Sequence, residues 1–355
     1  MDIKKQISER ARKAIEDRVF PGCVVGIVKK SGERTILPFG NFTYDRDSSP
    51  VGEDTIYDMA SVTKSIPTAS LLLALVDKNA LVLDGPISKY VPEFGNYENK
   101  HSVLVRHLLT YTLDLVVPSM ASLKTKTANE ILDTIVRAPL RHPPGTTFLY
   151  TNSTTCMAGL VIRNVSGRNI DDFADQEFFN PLGMNRSTFH PDKFPKDTIV
   201  PTEFDEWRGR LIQGEVQDES TYVLNNKFIL GISGLFSTAS DILSFLEMFL
   251  HEGVFKGKKY FSEEIVNQMG TNQIPNLSDF TGLGWELNQP RFMGKYCTPR
   301  TFGKTGFTGT LCVCDIKKGV VYVILSNRTF PKRPTDSIAI NSFRGDIGDI
   351  IFGST

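Results

Sequence analysis

The chain has 355 residues, enough for a large core and two structural lobes, and its 40 basic and 40 acidic residues cancel to a pI near 7.0. That balance removes bulk charge as a reason to bind nucleic acid or a membrane surface. No apolar run approaches the roughly 18 residues of a membrane span; the best, Leu71 to Val76, fits inside a helix.

Residues 1–18 are dense in charge of both signs, with Ile7, Ala11, Ala14 and Ile15 at helical spacing, which predicts an amphipathic surface helix. An export signal would need an apolar centre of about 7–15 residues. The sequence as written therefore predicts a cytoplasmic protein, whereas a longer precursor would place it in the periplasm or outside the cell. Cys23 to Lys30 and Thr35 to Phe39 read as strands around the turn Ser31-Gly32-Glu33-Arg34. From Ser61 to about Gly231 the pattern is mostly helical: Ser61–Asn79, Thr127–Ala138, Thr154–Ser166 and Ile170–Phe179, separated by Pro/Gly loops such as His142 to Thr146. Pro67 lies inside the first of these and removes a backbone donor, so a kink is expected there.

Strand signals return at Thr301–Phe307, Leu311–Asp315 and Val320–Ser326, the last two joined by the turn Lys317-Lys318-Gly319, and a final helix is expected over Ser337–Phe352. Both chain ends thus supply one sheet with flanking helices. The expected organisation is an α/β sheet lobe of residues 1–60 plus 232–355, an inserted helical lobe of residues 61–231, and a site in the cleft between them. Five cysteines, Cys23, Cys156, Cys297, Cys312 and Cys314, show no disulfide spacing. Cys312 and Cys314 are two apart on a strand and so face one side. With the five histidines scattered, they are read as small core residues, and no metal or cofactor is expected.

Three short strings carry the chemistry. Ser61-Val62-Thr63-Lys64 sets an amine one helical turn from a hydroxyl, on the same face. A serine is a poor nucleophile until a neighbouring base takes its proton, and a desolvated lysine can be that base. Tyr150-Thr151-Asn152 adds a phenol that can shuttle protons and an amide that can hold substrate. Lys304-Thr305-Gly306 adds a cation on a strand-like segment able to lie along an extended substrate. Each string is weak alone; their order and contexts agree on acyl transfer without histidine.

The chain resembles the β-lactamase/penicillin-binding-protein superfamily of serine hydrolases, nearest to class C β-lactamases, low-molecular-weight DD-peptidases and the related family VIII esterases. Y-x-N is the class C and esterase form of the middle motif. The likeness extends to Asp58-Met59-Ala60-Ser61, Arg106-His107-Leu108-Leu109-Thr110, Pro143-Pro144-Gly145-Thr146, Pro181-Leu182-Gly183-Met184, Ser233-Gly234-Leu235-Phe236-Ser237-Thr238, Gly282-Leu283-Gly284-Trp285 and the stretch Gly306 to Asn327. It implies an α+β two-lobe fold, with an antiparallel sheet flanked by helices and an inserted all-helical lobe.

The resemblance also implies roles. Ser61, Lys64 and Tyr150 would be catalytic, and Asn152, Lys304, Thr305 and Gly306 would bind substrate. The backbone N–H groups of Ser61 and Phe307 would form the oxyanion hole. Ser61 at a helix start would face the positive dipole end. Lys64, near Lys304, should have its ammonium disfavoured, and the same two cations should favour phenolate at Tyr150. Asn152 would orient the acyl amide and hold Lys64. Two departures stand out: Asp114 occupies a position where many relatives have Gly, beside the cleft, and Pro331-Lys332-Arg333-Pro334 replaces an Asn-containing carboxylate-binding segment, where its basic residues could serve instead. The leading expectation is hydrolysis of a small-molecule β-lactam or D-Ala-D-Ala amide through a Ser61 acyl-enzyme, with Lys304 reading a substrate carboxylate. The alternatives are a carboxylesterase and a slowly deacylating penicillin-binding sensor.

Overall fold

A computed structural model describes residues 2–96 and 100–354; Met1, at the start of the expected first helix, lies outside the described residues. One sheet is built from β1 (Gly22–Lys29), β2 (Arg34–Gly40), β3 (Glu286–Leu287), β4 (Phe302–Thr305), β5 (Leu311–Asp315) and β6 (Val320–Ser326). Their spatial order is β2-β1-β6-β5-β4-β3, and every neighbouring pair is antiparallel. β1 lies against β6 with Cys23 opposite Ser326 and Lys29 opposite Val320, so the two chain ends meet inside the sheet.

Side chains alternate between the faces of a strand, and both faces here are covered. Val24, Val28, Cys312, Cys314, Val323 and Leu325 enter one core; Cys23, Val25, Ile27, Val313, Tyr322 and Ile324 enter the other. Cys312 and Cys314 are core residues on one side, as their spacing predicts. Burial on both faces explains why β6 is an unbroken apolar run up to Ser326.

Among the longer helices are α1 (Ile3–Glu16), α2 (Ser70–Asp77), α3 (Ala128–Arg137), α4 (Asn152–Ser166), α5 (Glu219–Asn225), α6 (Ala239–Leu250) and α7 (Ile338–Phe352). Ile7, Ala11 and Ala14 of α1 pack with Phe343, Ile347 and Ile351 of α7 on one face of the sheet, and α6 lies on the other. None of the helices among the described residues is long and apolar enough to cross a membrane.

Two expectations change. Residues 183–218 hold no long helix, only single turns and the short hairpin Phe204–Asp205 with Arg210–Leu211, in a stretch punctuated by Pro191, Pro195, Pro201, Gly209 and Gly214. The expected helix Ser61–Asn79 is broken into a 3₁₀ turn, Ala60–Lys64, and α2. Between them Ile66 adopts φ −119° and ψ 108°. A residue before proline is pushed toward extended backbone, so Pro67 breaks the helix more sharply than a kink. α4 begins two residues before its expected start, because the Thr151 hydroxyl accepts from the Thr154 N–H at 3.4 Å as an N-cap.

Candidate active site

In a 3₁₀ turn, side chains three apart eclipse one another. On Ala60–Lys64 this stacks Lys64 over Ser61, with Nζ and Oγ hydrogen-bonded at 2.9 Å. The turn is entered through Ala60 at φ 46°, a left-handed conformation that a side chain disfavours. Asp58 holds it there: its carboxylate accepts from the Ala60 N–H at 2.8 Å and from the Gln217 N–H at 2.7 Å. With only five residues in the turn, the expected helix dipole contributes little, and the eclipsed geometry does the positioning.

Lys64 is buried, and its Nζ donates to the Ile232 carbonyl at 2.8 Å. That carbonyl takes the holding role expected of Asn152, whose Nδ2 instead points to Asp218 Oδ2 at 3.5 Å. Burial pulls the Lys64 pKa down; Tyr150 opposes this, Lys304 reinforces it, and the net shift is downward. Tyr150 stands just ahead of α4, its ring centroid 4.9 Å from that of Tyr111. Lys304 Nζ lies 4.0 Å from the Tyr150 ring centroid and 5.0 Å from that of Tyr111, and Lys64 Nζ lies 5.6 Å from the Tyr150 centroid. Partial desolvation pushes the Tyr150 phenol up, but the Lys304 and Lys64 ammoniums, together with a hydrogen bond to Ser61, outweigh it, and its pKa falls below the ordinary value. Both shifts run in the direction expected from the sequence.

Lys304 departs from its expected role as a free carboxylate reader. Its side chain is fully buried and bonded to Glu286 Oε1 at 2.8 Å. Burial works against its charge, but Glu286 and the two tyrosines prevail and raise its pKa. Lys304 is thus a permanent cation beneath Tyr150. The basic pair after β6 is also occupied: Arg333 bonds Glu203 at 2.5 Å and Glu219 at 3.0 Å, and Lys332 lies 3.3 Å from Glu206. Asp114 is buried and meets His142 at 2.7 Å, tying its loop to the Pro/Gly segment before Tyr150.

The loop after β4 docks onto the nucleophile turn. Thr308 and Thr310 donate to the carbonyls of Asp58 and Met59 at 2.7 Å and 2.9 Å. Arg344 of α7 donates to the carbonyls of Gly306 at 2.9 Å and Thr310 at 2.7 Å. A trans peptide points its C=O and N–H in opposite directions, so this grip turns the Phe307 N–H away from Arg344. Arg328 donates to the Phe307 carbonyl at 2.8 Å. A Cβ at Gly306 would sit 2.0 Å from Thr310 Oγ1 and 2.5 Å from the Met59 carbonyl, so only glycine fits this junction.

Ser61 and Phe307 stand between two cavities. One, of about 630 Å³, is also lined by Tyr150, Thr305 and Gly306, with Arg291, Arg328 and Arg344 and the carboxylates of Asp279 and Glu286. The other, of about 400 Å³, is lined by Asn152, Asp218 and Ser233 among others. A hydroxyl beside an amine, a phenol between two cations and a glycine-hinged loop can together move a proton off Ser61 and on to a leaving group. Asp218, Arg328 and Arg344 carry no motif, and sequence reading gives them no role. Asp58 heads the family-like Asp58-Met59-Ala60-Ser61 and Glu286 directly follows Gly282-Leu283-Gly284-Trp285, but neither is given a role by the sequence alone.

The sequence profile of the Beta-lactamase family matches residues 7–343. The chain belongs to the beta-lactamase family. Among curated relatives of this family member, an Escherichia coli K12 protein named "Putative D-alanyl-D-alanine carboxypeptidase" is 29% identical over 304 residues, covering 77% of this chain and 69% of that one. Among solved structures, unliganded simvastatin synthase (LovD) from Aspergillus terreus superposes with a TM-score of 0.79 at 17% identity, covering 100% of this chain and 99% of that one. EstCE1, described as a hydrolase with promiscuous acyltransferase activity, gives 0.76 at 19% identity, with 99% and 98% covered. These likenesses establish the beta-lactamase/transpeptidase-like fold, and the family is one of hydrolases.

Proposed function

We propose that the protein hydrolyses a D-alanyl-type amide or a β-lactam through an ester at Ser61. The observation that carries this reading is the 2.9 Å contact between Lys64 Nζ and Ser61 Oγ, with Tyr150 lying against both Lys64 and Lys304. Ser61 Oγ bonds to the substrate carbonyl carbon as its proton passes to the Lys64–Tyr150 pair, which titrates as one unit. The N–H groups of Ser61 and Phe307 hold the carbonyl oxygen as it gains charge. The C–N bond breaks, and the departing nitrogen takes that proton. Water then attacks the ester carbon as Tyr150 accepts its proton; the acyl–Oγ bond breaks, Ser61 Oγ takes that proton, and the acid leaves. Asn152, Thr305 and Gly306 line the substrate's path.

The carboxylate of such a substrate has a better reader than Lys304. Arg328 and Arg344 are buried in the wall of the larger cavity, and neither has a carboxylate within ion-pair distance among the described residues. Backbone carbonyls satisfy some of their donors but do not neutralise their charge. In this reading residues 1–60 and 232–355 form one lobe, residues 61–231 the other, and the site lies between them. A second reading, a carboxylesterase, is favoured by the Lys304–Glu286 pair, which occupies the Lys304 charge within the protein.

Incubation with a penicillin or a fluorophosphonate should give a mass adduct on the peptide containing Ser61. An adduct of unchanged yield in Ser61→Ala sinks the assignment. Between the two substrates, Arg328→Met should lower kcat/KM for D-Ala-D-Ala peptides about ten- to a hundredfold, a lost charge-assisted contact, and neutral esters much less. Equal losses favour the esterase.

A further inference from the structure

The smaller cavity meets Ser61 from the side of Asn152, and its wall also holds Asp218, Glu219, Ser233 and Arg333. Its charges do not balance. Arg333 is shared by Glu203 and Glu219 at 2.5 Å and 3.0 Å, and Lys124 Nζ lies 3.9 Å from Glu219. Two cations answer these two carboxylates, and Asp218 is left with no ion-pair partner among the described residues. Lys64 feels the Asp218 charge, but in its proton-accepting form it is neutral and cannot answer it.

Asp218 also has bonding capacity to spare. Its Oδ1 caps α5, accepting from the Thr221 N–H and the Ser220 hydroxyl at 2.7 Å each. Among the described residues its Oδ2 receives only Asn152 Nδ2, at 3.5 Å, the outer limit of a hydrogen bond. Beside it Ser233 is 4% exposed, and its hydroxyl has no partner among the described residues. A carboxylate with a free lone pair and an unused hydroxyl, in a half-closed cavity next to the reacting carbonyl, match an ammonium group, which brings one charge and three donors. An acylated nitrogen brings no charge and one donor.

We infer that the smaller cavity is an amine subsite: the acyl half of the substrate carries a free, protonated amino group, received by Asp218 with Ser233. The inference rests on Ser61 being the acylated residue. Together with the guanidinium-lined cavity it makes the preferred substrate a zwitterion, such as a short peptide with both ends open.

Two chromogenic anilides isolate this subsite, because neither carries a carboxylate: D-alanine p-nitroanilide and its N-acetyl derivative. The free amine should be cleaved with a kcat/KM about ten- to a hundredfold higher. Asp218→Ser keeps an acceptor for the α5 cap and removes the charge, so the ratio should contract toward one. Ser233→Ala should contract it by a smaller factor and decides the matter if the Asp218 variant misfolds. Fluorophosphonate labelling of Ser61 runs alongside. Labelling with equal rates on both anilides, with release from neither, or with a ratio untouched by both substitutions, overturns the amine subsite and leaves the Ser61 reading standing. Failure to label Ser61 in the unaltered protein overturns both.

Discussion

Around Tyr150, two ammoniums act on one phenol from different directions, Lys304 at 4.0 Å from the ring centroid and Lys64 at 5.6 Å. If the phenol carries protons, Tyr150→Phe should lower turnover about 10²–10⁴-fold, the usual size of general acid–base catalysis. Near-normal turnover in that variant would assign the ring to packing against Tyr111. The charge beneath it sets the pH response. Because Lys304 lowers the Tyr150 pKa, the double variant Lys304→Met/Glu286→Gln, which removes the buried pair together, should move the acidic limb of kcat/KM to higher pH; an unmoved limb would mean Lys304 does not tune Tyr150. Asp58 makes a further residue-level case. Burial outweighs its two N–H donors and raises its pKa from 3.8 to about 6. The folded protein then binds this proton more tightly than the unfolded chain does, so the contribution is full below pH 3.8 and is lost as pH rises through 6. Asp58→Asn should flatten the stability–pH curve in that window, and an unchanged slope there would assign it to other groups. Ser61, Lys64, Tyr150 and Lys304 could be picked out together because the short strings that contain them resemble the family's motifs in order and context. Glu286 could not, since following Gly282-Leu283-Gly284-Trp285 fixes its position but does not distinguish a strand glutamate that pairs across the sheet with Lys304 from one facing water.

At the scale of elements, the nucleophile turn and the loop after β4 are each too short to hold themselves. Their order comes from side chains reaching in from elsewhere, Asp58 and Arg344 above all. Arg344→Met would free the Gly306 carbonyl and loosen the Phe307 N–H; with a neutral ester, which has no carboxylate for Arg344 to read, kcat should drop toward the 10²–10³-fold loss typical of a missing oxyanion donor, with KM changed less. A KM effect alone would mean Arg344 reads substrate and does not aim the loop. The sheet strands were readable from their residue types and turns, but burial of β5 and β6 on both faces emerged only from the structure. The nucleophile helix was misread for a physical reason. Helical spacing of apolar residues continues through Ser61–Asn79, and a pattern of faces does not register that Ile66 must leave the helix to accommodate Pro67. The lack of regular structure over 183–218 was likewise hidden, because loops pinned by tertiary hydrogen bonds carry no periodicity of their own.

For the whole molecule, the two ends of the chain build one unit, with α1 and α7 sharing a core beneath the sheet. Ile7 is fully buried there, so Ile7→Ala should cost about 2–5 kcal/mol of stability while leaving Ser61 labelling per folded molecule unchanged. A thermal melt beside a labelling assay checks both halves of that statement. The closing pair β1–β6 has a consequence in time. β1 is synthesised about 300 residues before the strand it must lie against, so its hydrogen-bonding edge waits through nearly the entire translation of the chain. Meanwhile β2 can guard only one side of it. A ribosome-stalled chain ending before Val320 should therefore resist Ser61 labelling and bind holdase chaperones, and release of the full chain should restore labelling in one late step. The residues that make the centre of the sheet are the ones that leave the nascent protein most exposed to aggregation.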